Sequence, residues 1–448
     1  MKFYNKNLRN LLLAALAVVS GFALQSCKDQ PDEYKQTGGR PTIYYIRPAD
    51  INAKDSLLVS ATPEMSIALI GENLRSIVKM YFNDLEATLN SSYITDNSLL
   101  VNVPKNIPGE VNDKITMITR DGDSVYYDFH VVIPAPAVNA MSNEWAKAGE
   151  TVTIYGNYFV DDPNVPIRVN FPGNVSVTDF TNMTMMALTF VMPEVTEEGE
   201  VSVTSVYGTT SAPFHYKDSR GMLFSFDNPT FHNHGWNGHE ATTDETALDG
   251  NFLQLGNGTA QMAGATTWDE NNFSFVYWPG DDWGAVETYS VTPRLCDVVD
   301  FSDWANMTLK FEINVPASSP WTTTSLQFIF AGVDQVTNRD AGTDIYGNTI
   351  AAANNSYFSD ALNPRALYRP WDGTQTGSYD TGGKWVTVSL PIADNFKYDA
   401  DGGTSDQMRK ITKDTFASLW IFLCKGGVYG EPCTPIIKID NVRVVPNK

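Results

Sequence analysis

The sequence predicts an all-β chain of three successive sandwiches, two small and one large, and three observations predict it. Short segments that alternate apolar and polar residues recur from residue 41 onward, among them TIYYIRP, SIALIGENL, KITMIT, TVTIYG, TLKFEINV, WVTVSLPI and IIKIDNVRVV. Period-two runs bounded by turn residues are the mark of half-buried strands, and no stretch beyond residue 27 keeps a helical period. A unit of under a hundred residues occurs twice in the first half. Tryptophan is rare before residue 220 and abundant after it.

The chain opens with a basic segment, MKFYNKNLRN, followed by the apolar LLLAALAVVSGFAL, which is short for a membrane span. Leu24-Gln25-Ser26-Cys27 then resembles a bacterial lipobox, with a bulky residue at −3 and a small one at −1 of the lipidated cysteine. The acidic KDQPDE that follows is similar to the surface-export run of Bacteroidetes lipoproteins. The resemblance implies a signal peptide over 1–26, lipidation at Cys27 and an anchor in the cell outer membrane, facing the exterior. Residues 27–40, polar and without periodicity, read as a tether.

The repeat sets MSIALIGENL (Met65 to Leu74) against ETVTIYGNYF (Glu150 to Phe159), then Leu100-Val-Asn-Val-Pro104 against Phe190-Val-Met-Pro193, and Gly109-Glu-Val111 against Gly199-Glu-Val201. Gly71 and Gly156 lie 85 residues apart, Gly109 and Gly199 lie 90 apart, so one unit recurs. The strand-Gly turn resembles the immunoglobulin-like IPT/TIG domain, in which the glycine is expected to supply a positive φ. VIPAPAV (132–138), stiffened by two prolines, divides the units into 41–134 and 135–217.

Residues 218–448 form the large sandwich. Residues 28–220 contain one tryptophan, Trp145, whereas 221–448 contain nine. Ile436-Ile-Lys-Ile-Asp440-Asn-Val-Arg-Val444 and Gly383-Lys-Trp385-Val-Thr-Val-Ser-Leu-Pro391 resemble strands of jelly-roll carbohydrate-binding modules. A similarly placed Asp in those modules sometimes holds a structural calcium ion, which marks Asp440; the sequence implies no other cofactor.

Trp304, Trp385 and Trp420 sit in strand patterns and read as core. Trp236, Trp268, Trp278, Trp283, Trp321 and Trp371 sit in segments rich in Gly, Pro, Asn, Asp and Ser. An indole in a loop either folds back over the core or faces a partner. A pyranose offers C–H groups on one face and hydroxyls at its rim, which suits a flat indole flanked by polar side chains. Covering roughly 100 Å² at ~25 cal/mol/Å² gives about 2.5 kcal/mol per ring before ordering costs. Trp283, Trp321 and Trp371 are the expected platforms, with Trp278, Tyr357 and Tyr368 next and Asp282 and Arg369 as polar neighbours.

FHNHGWNGHE places His232, His234 and His239 beside Glu240. The cupin metal signature does not fit: five residues separate His234 from Glu240, and Phe226 stands where a glycine is needed. The segment reads as a polar loop presenting Trp236 rather than a metal site. Of the cysteines left after Cys27, Cys424 and Cys433 flank a turn and are the better pair; Cys296, Cys424 and Cys433 all reduced is the alternative. The net charge of −21 argues against nucleic acid and anionic lipid headgroups as partners.

A lipoprotein with a short acidic tether, two IPT/TIG-like units and a Trp-rich C-terminal domain resembles the second surface glycan-binding protein of Bacteroidetes polysaccharide-utilisation loci. The resemblance implies non-catalytic capture of a plant-type polysaccharide of the xyloglucan, β-glucan or mannan class for degradation and uptake. It also implies work beside a TonB-dependent transporter complex and other surface glycan-binding proteins of the locus. Two rivals stand against it: a jelly-roll glycoside hydrolase and a structural adhesin. A hydrolase needs two carboxylates in one cleft, and the last domain's six glutamates contain no Glu-x-Asp-x-x-Glu. The scarcity of tryptophan in the repeats speaks against adhesion through them.

Overall fold

The computed structural model describes residues 38–53, 55–231, 233, 241–265, 267–279, 292–333, 335 and 363–447. The signal peptide, Cys27, Trp236, the three histidines of its loop, Asp282, Trp283 and Tyr357 lie outside the described residues. The chain divides into two compact units, residues 1–134 and 135–448. It is all-β: two immunoglobulin-like sandwiches followed by a larger jelly-roll-like one. Among the described residues no helix is long and apolar enough to cross a membrane.

The two repeats share a sheet order. In the first unit the Ser66–Glu72 strand lies between Thr42–Pro48 and Ser98–Asn102. In the second, Thr151–Asn157 lies between Ala137–Met141 and Ala187–Val191. Each opposing sheet has four strands, Leu85–Ala87, Ile77–Phe82, Lys114–Thr119 and Ser124–Asp128 in one, Val175–Val177, Arg168–Phe171, Gly199–Ser205 and Gly208–Tyr216 in the other. The repeat glycines are needed for a reason other than the expected positive φ. A Cβ on Gly71 would lie 1.9 Å from the Thr42 carbonyl oxygen, and one on Gly156 1.9 Å from that of Ala137. Both glycines sit at a bulge in the neighbouring strand, where backbones approach closely. The positive φ falls two residues later, at Asn73 and Tyr158, both 58°.

The large sandwich has a five-stranded sheet, Met222–Phe224, Ile437–Pro446, Met307–Asn314 and Val386–Pro391 with Leu253–Leu255 also on the Ile437–Pro446 strand. Its four-stranded partner runs Ser274–Tyr277, Ser418–Cys424, Ser325–Ala331, Arg365–Tyr368. Phe224 against Phe275 (5.2 Å) and Phe311 against Phe328 (4.9 Å) join the sheets through one core.

Alternation in TLKFEIN puts Leu309, Phe311 and Ile313 in that core and Thr308, Lys310, Glu312 and Asn314 on the other face. That polar face is buried too, because the second immunoglobulin-like domain docks on it. Glu144 accepts from Lys310 Nζ (2.6 Å) and Arg443 (2.9 Å), and Arg443 also forks onto Glu312 at 2.8 and 3.1 Å. Trp145 packs with Leu248, Phe252 and Trp385, and Arg443 lies over its ring. Trp385 thus packs inside, as its strand pattern predicts, with its N–H on the Thr246 carbonyl (2.6 Å). Burial pushes the Glu312 carboxyl up to about 7 against the pull of Arg443.

Candidate glycan-binding face

The outward face of the four-stranded sheet is the candidate site. Strand register puts Leu419, Ile421 and Leu423 opposite core residues Phe330, Phe328 and Leu326, so Trp420 and Phe422 take the other face. Their rings lie nearly parallel, 7° between planes and 5.9 Å between centroids. Trp268, just before the short Glu270–Phe273 helix, stands edge-on to Phe422 at 5.0 Å and remains 46% exposed. Its indole N–H donates to Glu270 Oε1 at 2.8 Å, which fixes the ring. Tyr429, also exposed, packs on Gly264 at the turn that leads into Trp268.

Polar groups continue the face. Gln327, opposite Phe422, donates to the Cys424 and Ala400 carbonyls (2.8 and 3.1 Å) and accepts from Arg365 (3.2 Å). These groups are buried under the segment around Tyr398 to Ala400 and hold the sheet rigid, while the aromatic half stays in reach of solvent through Trp268. Phe422 and Trp420 are themselves buried, at 0% and 7% exposure, so Trp268 is the ring of this cluster that reaches solvent, an indole face with the Glu270 carboxylate at its border, the pattern that covers a pyranose face and pairs its rim. Among the described residues no group of three or more His, Cys, Asp and Glu is placed to hold a metal ion.

The expected platforms fare differently. Trp321, Trp371 and Trp278 are core residues at 0%, 4% and 6% exposure, which corrects the reading of them as open platforms. The indoles of Trp321 and Trp371 donate to the Thr323 and Thr324 carbonyls at 2.7 and 2.8 Å, where the chain enters the Ser325–Ala331 strand. Loop carbonyls thus satisfy the N–H groups and the rings fold inward. Tyr368 faces the core against Trp321 and Phe311 rather than sugar, and burial and Tyr379 raise its pKa. Arg369 is a brace: it donates to the Gly426 carbonyl and approaches Asp372 at 4.0 Å. Trp283, Asp282, Tyr357 and Trp236 lie outside the described residues. Cys296, Cys424 and Cys433 are all free thiols, so the 424–433 pair does not form; Cys433 is tied instead through its backbone to Met262.

Trp371→Phe keeps an aromatic ring but loses part of the indole's volume and one buried hydrogen bond, leaving the Thr324 carbonyl short of a donor. It is expected to cost about 1–2 kcal/mol in urea unfolding and to leave glycan affinity unchanged. Loss of binding without loss of stability would restore Trp371 to the binding surface.

A jelly-roll sandwich with an exposed tryptophan seated on the aromatic-bearing face of one sheet has the build of a carbohydrate-binding module. Comparison with known proteins carries this further. Residues 216–446 match the family model of the surface glycan-binding protein B xyloglucan binding domain. A solved surface glycan-binding protein of Prevotella bryantii is 46% identical, covering 92% of this chain and all of that one, with a TM-score of 0.79. A curated IPT/TIG domain-containing protein of Bacteroides ovatus is 30% identical over 183 residues, 38% of this chain and 36% of that protein's length. The chain belongs to the surface glycan-binding protein B family, whose members bind polysaccharide without cleaving it.

Proposed function

We propose that this protein holds a β-glucan-type polysaccharide of the xyloglucan class along the outward face of the four-stranded sheet. The observation that carries the reading is the exposed Trp268 standing on the Phe422–Trp420 strip. The family's description supports the xyloglucan class. The sheet leads, at its Tyr277 and Ala331 end, into the segments that contain Asp282, Trp283 and Tyr357, which we assign to further contacts on the same polymer; Trp236 joins them. The lipobox supports an outer-membrane anchor through Cys27, and capture at that surface would feed a TonB-dependent transporter complex and its companion glycan-binding proteins. Three large hydrophobic clusters support the domain limits 41–134, 135–217 and 218–448.

Affinity electrophoresis of the chain without its leader, in gels of xyloglucan, mixed-linkage β-glucan and galactomannan, tests this directly. Retardation strongest in xyloglucan, with no new reducing ends, is the expected result. No retardation in any gel refutes it, and so does release of reducing sugar.

A further inference from the structure

A groove of about 750 Å³ runs along the Arg365–Tyr368 edge of the four-stranded sheet, on the opposite side from Trp268. That edge strand is two strand spacings, roughly 10 Å, from the strand that carries Phe422. Arg365 lies opposite Ile329, and Ile329 opposite Trp420, so Arg365 shares the outward face. The backbones of Arg365 and Tyr398 bond in both directions, at 3.0 and 3.2 Å, which lays Tyr398 along the edge. Gln327, also outward, donates to the Ala400 carbonyl at 3.1 Å, so the segment that walls the groove covers the same face. Two turns fix the walls. Asp399 Oδ1 accepts from the N–H groups of Asp401 and Gly403, both at 2.8 Å, and the Asp399 N–H donates to the Gly403 carbonyl at 2.9 Å. Tyr398 and Thr404 therefore leave that turn side by side. The second turn follows at once, with the Met408 N–H on the Ser405 carbonyl at 3.1 Å.

Phe396, Met408 and Ile411 give the groove an apolar floor, and Phe396 is anchored in the core against Phe330 at 5.4 Å. Tyr398, Asp406 and Arg409 supply its polar rim. The volume is that of a small-ligand site, and walls held by turns leave little chain to order on binding. An apolar floor meets the C–H groups of a sugar, a carboxylate accepts from its hydroxyls, and a guanidinium or phenol donates to them. Asp406 and Arg409 carry opposite charges, so the rim suits a neutral sugar over a charged one. A groove off the edge of the sheet, walled by two turns, suits a pendant unit rather than the run of a main chain. We propose, on the footing that the glycan backbone lies on Trp268, that the groove takes a neutral pyranosyl branch of the same polysaccharide. The far edge of the sheet is then where a branched glucan is told from a bare one.

Isothermal titration of the chain without its leader compares a xyloglucan oligosaccharide with a cello-oligosaccharide of the same backbone length. The parent is expected to bind the branched ligand at least about fivefold more tightly. Asp406→Ala and Arg409→Ala, both at exposed positions, should each weaken the branched ligand about 3–10-fold and leave the bare one unchanged. Thr404→Trp, which fills the groove from its wall, should do the same, whereas Trp268→Ala should weaken both ligands. An unchanged thermal midpoint shows each variant folded. Groove variants that bind the branched ligand as tightly as the parent, or that weaken both ligands equally, overturn the groove and leave the Trp268 face standing. A parent with no preference for the branched ligand overturns the groove as well. Trp268→Ala without effect on either ligand removes the backbone's course over Trp268 and this proposal with it.

Discussion

Trp268→Ala should weaken binding of a xyloglucan oligosaccharide at least about tenfold, and this is the largest effect on function expected of a single described residue. The ring is 46% exposed, so its removal costs the folded protein little, whereas a bound sugar loses the whole face it covers. Roughly 60–100 Å² of lost apolar contact at ~25 cal/mol/Å² corresponds to about 1.5–2.5 kcal/mol. Isothermal titration at constant salt reads the change, with circular dichroism to show the fold intact. Trp268→Phe should recover part of the loss, because a smaller ring still stacks but cannot donate to Glu270. Affinity equal to the parent's in Trp268→Ala would move the platform off this strip.

Arg443→Met should be the most damaging single change to stability, about 3–5 kcal/mol in denaturant unfolding of residues 135–448. The guanidinium is fully buried and serves two carboxylates from different domains, Glu144 and Glu312, which the substitution leaves buried without it. Lys310 remains on Glu144 but does not reach Glu312 in the hydrogen-bond pattern. The raised Glu312 pKa shows desolvation outweighing attraction, so the network is an expensive one that specifies how the domains meet. A loss under about 1 kcal/mol would mean that water enters the interface and screens the charges.

Much of the fold was legible because strands announce themselves by alternation. TLKFEIN, WVTVSLPI and the repeated Gly motif each predicted an element that the structure contains. The second burial of Lys310 and Glu312 was not legible, since it depends on Glu144, more than 160 residues away in the chain. Nor could composition separate the loop indoles. Trp321 and Trp371 look as open as Trp268 in sequence; backbone carbonyls at Thr323 and Thr324 decide the matter. Trp420 is buried, as its strand pattern predicts, and only the side of the sheet on which it and Phe422 lie was hidden. SLWIFLC is apolar throughout, so its period cannot tell the inward face from the one on which Trp268 rests. The Gly71 and Gly156 motif was visible but its cause was misassigned, as a crowded bulge leaves the same mark as a left-handed turn.

The docking of the second immunoglobulin-like domain has a mechanical consequence. It grips the five-stranded sheet, while the aromatic strip lies on the outward side of the four-stranded one. The large sandwich is therefore held like a hand bolted at its back, with the palm turned to the far side. A polymer bound on the Trp268 side, as proposed, would lie on the sheet away from the docked domain. Pull on that polymer would be carried into Glu144, Lys310, Arg443 and Glu312, where a stiff wrist would turn tension on the glycan into tension on the chain rather than let the palm swivel away.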